Sequence, residues 1–64
     1  MTYKIPERFQ NHTVIEREDS FEVHFDDRIE FWTLDFTRKI GESQIYAELT
    51  VEGRKVRKTV VKIY

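Results

Sequence analysis

Cysteine is absent from this sequence of 64 residues. Its absence excludes disulfide bonds, thiol nucleophiles and cysteine-ligated metal sites, and it is consistent with a reducing compartment. No stretch approaches the roughly 18 consecutive apolar residues of a membrane-spanning helix, and residues 1–8 lack the apolar core of a secretory signal. We therefore expect a cytoplasmic protein without a membrane partner.

Motifs that carry catalysis or bind cofactors are also missing. The sequence has no phosphate-binding glycine loop, no dinucleotide fingerprint, no zinc-protease motif and no nucleophile elbow. Its two serines, Ser20 and Ser43, lie in predicted turns without a neighbouring histidine to activate them. Its two histidines, His12 and His24, have no recognised metal-ligand spacing. We predict a protein that is not an enzyme and has neither a cofactor nor a metal site.

Residues that favour helices are scarce. Ala, Leu and Met together number 4, whereas Val, Ile, Phe, Tyr, Trp and Thr number 27. β-branched and aromatic side chains suit a pleated, half-buried surface. With 39% hydrophobic residues, 36% charged residues and a net charge of −1, the composition is that of a folded and well-solvated chain. The length allows one core, so we predict a single small β domain over residues 1–64.

The first predicted hairpin follows from alternating apolar residues. Phe21, Val23 and Phe25 alternate with polar residues, which is the period of a strand with one buried face. A three-residue loop at 26–28 would pair Val23 with Phe31 on that face. The opposite face of the second strand would then carry Trp32, Leu34 and Phe36. Such a strand buries different faces at its two ends, as a bent barrel strand does.

The second predicted hairpin contains the clearest alternation, over residues 45–51. A two-residue loop beginning at Gly53 suits a type II′ turn. An uninterrupted ladder would put Lys58 and Lys62 on the apolar face. We therefore predict a β-bulge at residues 57–58, with both side chains turned outward. The inner face of the last strand would then carry Thr59, Val61 and Ile63.

These hairpins predict an all-β fold of about five short antiparallel strands in a meander, forming a small barrel or strongly twisted sheet. Residues 13–17 supply a further strand, and Pro6 indicates a lead-in or a single helical turn before it. The alternative is an α+β fold, ββαββ, with a helix near residues 28–40. Residues 27–30 have the pattern of a capping box, and Gly41 would end the helix. Poor helix formers in this segment favour the strand.

Charge is distributed unevenly along the chain. Residues 1–32 carry a net charge of −4 and residues 33–64 a net charge of +3, with no acid after residue 52. Cations that neutralise phosphates, beside aromatic rings that stack on bases, are typical of single-stranded nucleic-acid platforms. The candidate residues are Arg54, Lys55, Arg57, Lys58, Lys62, Tyr46 and Tyr64. Protection of an edge strand against aggregation is the alternative role for these cations.

The sequence thus predicts a small, non-catalytic binding module that binds single-stranded DNA or RNA through its basic C-terminal hairpin. The alternative is a protein–protein interaction or self-assembling module, such as a homodimer, that uses an edge strand or an exposed face around Trp32. The residues of this alternative interface are Trp32, Leu34 and Phe36. If they are not exposed, they belong to the core.

Overall fold

A computed structural model describes residues 3–64, which form a six-stranded antiparallel sheet curled into a half-barrel. The strands are β1 (Tyr3–Lys4), β2 (Thr13–Glu16), β3 (Ser20–His24), β4 (Ile29–Lys39), β5 (Gln44–Val51) and β6 (Arg54–Ile63). Their order across the sheet is β1-β6-β5-β4-β3-β2, so β2 to β6 form a meander and β1 lies beside β6. The predicted all-β class is confirmed, with six strands instead of about five. The helical alternative is wrong, because β4 occupies that segment.

The hairpin between β3 and β4 differs from its prediction by one residue. The Phe25 N–H donates to the Arg28 carbonyl oxygen (2.8 Å), which leaves only residues 26–27 in the turn. Phe21 therefore pairs with Trp32, whereas the sequence pattern predicted Thr33. A shift of one residue exchanges the two faces of a strand. The predicted register is thus wrong, because the turn closes more tightly than the alternation of apolar residues indicated.

This register decides which side of β4 is buried. Trp32 and Leu34 lie in the interior at 2% and 6% exposure. Ile29 and Phe31 lie on the outer face and are about half exposed, and Phe36 is also exposed. The predicted change of buried face along this strand, from Phe31 to Trp32, is therefore wrong.

The hairpin between β5 and β6 contains a β-bulge, one residue earlier than predicted. Leu49 pairs with Arg57 and Thr50 with Lys55, so Val56 is the extra residue. Beyond the bulge, Thr59 pairs with Ala47, two residues away from the predicted partner Leu49. A shift of two residues leaves side chains on the same face of the strand. As predicted, the inner face of β6 carries Thr59, Val61 and Ile63. Arg57 shares this inner face, so its predicted outward orientation is wrong.

The turn between β5 and β6 consists of Glu52 and Gly53, which have φ angles of 51° and 78°. Two successive positive φ angles are the pattern of a type I′ turn, which replaces the predicted type II′ turn. The turn therefore begins one residue earlier than predicted. Glycine accepts a positive φ without strain, but glutamate does not.

We expect Glu52→Asn to raise the free energy of unfolding by about 0.5–1 kcal/mol, because asparagine tolerates the left-handed region and Asn-Gly suits a type I′ turn. Urea denaturation measures the difference. Glu52→Gln is the matched control, since it removes the same charge without relieving the backbone. Equal gains in the two variants would contradict the conformational explanation.

The segment before β2 covers the concave face of the sheet. A short 3₁₀-helix, Glu7–Phe9, follows Pro6, in agreement with the predicted single turn. Phe9 packs against three other aromatic rings at centroid distances of 5.6 to 6.2 Å. These rings belong to Phe21, Phe25 and Trp32. Within residues 3–64, no helix is long and apolar enough to cross a membrane.

The core lies between this segment and the sheet. It consists of Tyr3, Ile5, Phe9, Phe21, Val23, Trp32, Leu34, Ile45, Ala47, Leu49 and Val61. Three of these residues precede β2, so the N-terminal segment supplies a wall that the open sheet lacks. The described residues contain neither a second sheet nor a long helix, so this segment is the layer that covers the concave face.

Tyr3 joins the two ends of the sheet. Its Oη lies 2.6 Å from the Arg17 carbonyl oxygen and 2.7 Å from the Ser20 carbonyl oxygen, so one proton is shared between two acceptors. Burial raises the pKa of the Tyr3 hydroxyl above its ordinary value of 10.0. The hydroxyl therefore holds β1 against the turn between β2 and β3.

We expect Tyr3→Phe to lower the free energy of unfolding by about 0.5–1.5 kcal/mol, because the Arg17 carbonyl oxygen loses the hydroxyl donor and the Ser20 carbonyl oxygen keeps only the Arg17 N–H. The folded pKa of Tyr3 exceeds the unfolded one, so its contribution is complete below about pH 10 and is lost as the pH rises above it. The stability difference between the two chains should shrink above that pH in denaturation experiments. A difference that stays constant with pH would contradict this assignment.

Candidate nucleic-acid interface

A cleft of about 420 Å³ opens on the concave face of the sheet, near the turn between β3 and β4. Its lining combines aromatic rings with basic side chains from the 3₁₀-helix, the β3–β4 hairpin and β6. The lining residues are Arg8, Phe9, Phe25, Arg28, Glu30, Trp32, Arg57 and Lys58. Residues that lie far apart in the sequence thus contribute to one site, because the sheet curls and the N-terminal segment crosses it.

Two of the arginines lie over aromatic rings. The Arg28 guanidinium carbon is 4.2 Å from the Phe25 ring centroid, and that of Arg8 is 4.6 Å from the Phe9 ring centroid. Cation–π contacts of this kind contribute about 0.5–1 kcal/mol at exposed sites. A guanidinium group has five N–H donors, so a stacked arginine retains donors for a phosphate oxygen. The rings therefore orient cations at the cleft without neutralising them.

Glu30 is the single carboxylate among the residues that line the cleft. It accepts hydrogen bonds from Arg28 Nε (3.1 Å) and from Trp32 Nε1 (3.2 Å). The bond to Glu30 also raises the pKa of Arg28 above its ordinary value, so this arginine stays charged. Arg28 also pairs with Asp27 (2.9 Å), so its charge is compensated by two carboxylates. The excess positive charge of the cleft is therefore that of Arg8, Arg57 and Lys58.

Arg8 and Arg57 both reach the cleft beside the inner face of β6. Arg8 Nη2 donates to Thr59 Oγ1 (2.8 Å), which ties the 3₁₀-helix to β6. Arg57 lies two residues before Thr59 on the same inner face of β6. Within residues 3–64, the Arg57 guanidinium makes no ion pair with a carboxylate. Its charge is therefore available to an anionic ligand.

The predicted site residues do not all lie on one surface of the sheet. Of the predicted basic residues, Arg57 and Lys58 border the cleft, and the Lys58 Nζ lies 5.5 Å from the Tyr46 ring centroid on the outer face. Lys62 also lies on the outer face, opposite Gln44. The predicted single basic platform on the outer face therefore does not form.

The remaining predicted residues lie at the two ends of the last hairpin. Arg54 and Lys55 flank its turn, where the Lys55 Nζ pairs with Glu48 Oε1 (3.2 Å). Tyr64 is exposed at the opposite end and lines a different cavity. Glu48 thus pairs with Lys55, whereas Lys58 and Lys62 on the outer face, like Arg8 and Arg57 at the cleft, make no ion pair within residues 3–64.

Sequence analysis did not identify Arg8, Phe9, Phe25 or Arg28 as site residues, because it followed the charge excess of the C-terminal half. Each arginine stands within three positions of the aromatic residue it covers, and this local pairing was the available signal. No local pattern indicates that Arg8 approaches β6, since that contact depends on the course of the whole N-terminal segment.

The alternative interface around Trp32 is not an exposed face. Trp32 and Leu34 are buried, and of the three proposed residues only Phe36 is exposed, at 42%. Their other assignment, to the core, agrees with this burial. An interface on an exposed face around Trp32 is therefore excluded, whereas an interface through an edge strand stays a prediction.

The fold and the cleft define a small antiparallel half-barrel with a basic and aromatic concave face. In the described part of the chain, no group of three or more His, Asp or Glu side chains is placed to hold a metal ion. Comparisons with protein-family models, with curated proteins and with solved structures find no match. The functional interpretation therefore rests on the residues of the molecule itself.

Proposed function

We propose that the protein binds single-stranded DNA or RNA in the cleft on its concave face. The observation that carries this proposal is the convergence of Arg8, Arg57 and Lys58 on one cleft whose single carboxylate, Glu30, is already paired with Arg28. Arginine forms paired hydrogen bonds with phosphate oxygens, and a concave cationic site concentrates the local field. The net charge of the chain is −1, so the attraction is local to the cleft.

The shape of the cleft favours a single strand over a duplex. Reading a duplex requires a helix or ribbon that protrudes into a groove, whereas this site is concave. A single strand brings unstacked bases, which stack on aromatic rings and on guanidinium planes. Phe25 with Arg28 over its ring is a suitable platform, because Phe25 is only partly buried. The phosphates would then lie toward Arg8 and Arg57.

The test is a titration of a fluorescent mixed-sequence oligonucleotide, followed by anisotropy at several salt concentrations. The three cations at the cleft that make no ion pair in the described chain, Arg8, Arg57 and Lys58, predict contact with about three phosphates and a log–log salt slope near −2, at about −0.7 for each phosphate. Affinity should therefore fall about 15-fold between roughly 50 and 200 mM salt. Polyglutamate of equal charge is the control. No binding at low salt, or equal binding of polyglutamate, would overturn the proposal.

A further inference from the structure

Two strand edges face each other across the opening of the half-barrel. In the described chain, β1 pairs only with β6 and β2 only with β3, so each of these strands has one unpaired edge. Residues of both edges line a cavity of about 480 Å³, with Tyr3 and Ile5 on one side and Val14 and Glu16 on the other. The hydrogen bonds from the Tyr3 hydroxyl to the turn after β2 connect the two edges.

The backbone of β2 directs unpaired hydrogen-bonding groups into this cavity. The Arg17 N–H donates to the Ser20 carbonyl oxygen (2.9 Å), and hydrogen-bonded pairs alternate along an antiparallel ladder. The next such pair along β2 is Ile15 with Glu22. The N–H and C=O groups of Val14 and Glu16 therefore point away from β3, toward the cavity that these two residues line.

The β2 edge is four residues long and Glu16 is its only charged side chain, so its protection against pairing is weak. Free edges are commonly blocked by proline, by a bulge or by lysine, and β2 contains none of these. Its side chains are apolar on both faces, since Val14 packs against the core and Ile15 is 42% exposed on the outer face. An additional strand would cover both side chains and satisfy both sets of backbone groups.

We infer that β2 binds an extended segment of a partner protein by antiparallel strand addition, which fills the opening between β2 and β1. Ile5 and Tyr64 also line this cavity, so the bound segment lies between β2 and these residues. The acidic end of β2 favours a basic segment over a second copy of the same acidic edge. The segment carries consecutive β-branched residues opposite Val14 and Ile15, one for each face.

The acidic residues at the end of β2 favour a basic residue at the start of the bound segment. The exposed end of β2 and its turn carry Glu16, Glu18 and Asp19, and the one base there, Arg17, is paired with Glu22. A lysine or arginine opposite Glu16 complements this acidic end. In antiparallel pairing, this base lies N-terminal to the two β-branched residues.

The probe is a capped peptide with the sequence Ser-Lys-Val-Val-Thr-Ser, titrated into the full chain and followed by amide NMR and hydrogen exchange. In the free chain, the amides of Val14 and Glu16 should exchange much faster than that of Ile15. Millimolar peptide should shift the Val14 and Glu16 amide signals saturably and slow their exchange about tenfold or more. Absence of any shift at this concentration overturns the inference.

Proline at position 16 provides a matched test, because the Glu16 N–H makes no bond to β3 and its loss spares that ladder. We expect Glu16→Pro to weaken peptide binding about tenfold or more, and Glu16→Gln, which keeps the N–H, to weaken it about threefold. Neither variant should change oligonucleotide binding in the cleft. Unchanged peptide binding by Glu16→Pro overturns the inference.

A second control leaves the protein unchanged. Methylation of two backbone nitrogens of the peptide, that of Lys and that of the second Val, removes the N–H donors that would face Glu16 and Val14. This peptide should not bind, and equal binding by both peptides overturns the inference. Sedimentation distinguishes a second copy as the occupant: a dimer whose Val14 and Glu16 amides are protected without peptide also overturns it.

Discussion

Arg57→Glu is expected to weaken binding of single-stranded oligonucleotides about 100-fold at low salt. The substitution removes charge-assisted hydrogen bonds to phosphate, which contribute about 1.5–3 kcal/mol, or roughly 10- to 150-fold in affinity. It also places a carboxylate between Arg8 and Arg28 at the cleft, where it neutralises the charge that the ligand needs. The salt slope should become shallower by about 0.7, because one fewer phosphate is neutralised.

Arg54→Glu is the matched control for this prediction. It changes the net charge by the same amount, but Arg54 lies beside the β5–β6 turn and does not line the cleft. At about 0.1 M salt, where the Debye length is about 10 Å, we expect its affinity to stay within about threefold of the original, since a side chain that does not line the cleft makes no contact with the ligand and acts only through a screened field. Equal losses in both variants would indicate a general charge effect rather than a site.

Lys62→Glu tests the outer face separately, because Lys62 lies opposite Gln44 on the other side of the sheet. We expect this variant to bind nearly as well as the original chain. Strong loss with Lys62→Glu and none with Arg57→Glu would place the interface on the outer face instead, where the sequence pattern predicted it.

Trp32→Ala is expected to lower the free energy of unfolding by about 3–5 kcal/mol, which is typical for removal of a large buried aromatic ring. Trp32 is 2% exposed, its ring stacks with Phe21 at 6.2 Å between centroids, and it contacts Phe9 at 5.6 Å. Its Nε1 also donates to Glu30, so the substitution leaves a partly buried acceptor with one bond fewer. Small domains have total stabilities of only about 5–15 kcal/mol, so this variant is close to unfolding at room temperature.

Phe31→Ala is the control, because Phe31 directly precedes Trp32, is also aromatic and is 53% exposed on the outer face. Its loss should change the free energy of unfolding by about 0.5 kcal/mol or less, as for most surface substitutions. Urea denaturation followed by circular dichroism compares the two. The reverse ranking would restore the register in which Phe31 faces the core opposite Val23, and would remove Trp32 from the cleft.

The faces of β5 and β6 were predictable from local pattern alone. Ile45, Ala47 and Leu49 alternate with polar residues, and the need to keep lysines off the apolar side indicated one extra residue in β6. For Thr59, Val61 and Ile63 both conclusions survived an error in the turn, since a displacement of two residues preserves the faces, whereas Arg57, beside the bulge, lies on the inner face against its prediction. The all-β class follows equally from composition, because β-branched and aromatic residues disfavour helices throughout the chain.

The register of β3 with β4 was not predictable in this way. Apolar residues of both parities occur in β4, so alternation allowed either Phe31 or Trp32 to face the core. The choice depends on closure of the turn by the Phe25–Arg28 hydrogen bond and on Phe9, which fills the space beside the Trp32 ring. The hydrogen bond is local to the hairpin, but the Phe9 contact forms only when the N-terminal segment has crossed the sheet.

The candidate site also depends on tertiary structure, namely the curl of the sheet. Charge segregation along the chain indicated a basic C-terminal hairpin, but alternation along β6 sends Arg57 and Lys62 to opposite sides of the sheet. The site forms because the curl and the 3₁₀-helix bring Arg8 and Arg28 to the side that Arg57 occupies. Local periodicity therefore specifies faces, whereas the grouping of charges requires contacts between residues distant in sequence, which no local pattern contains.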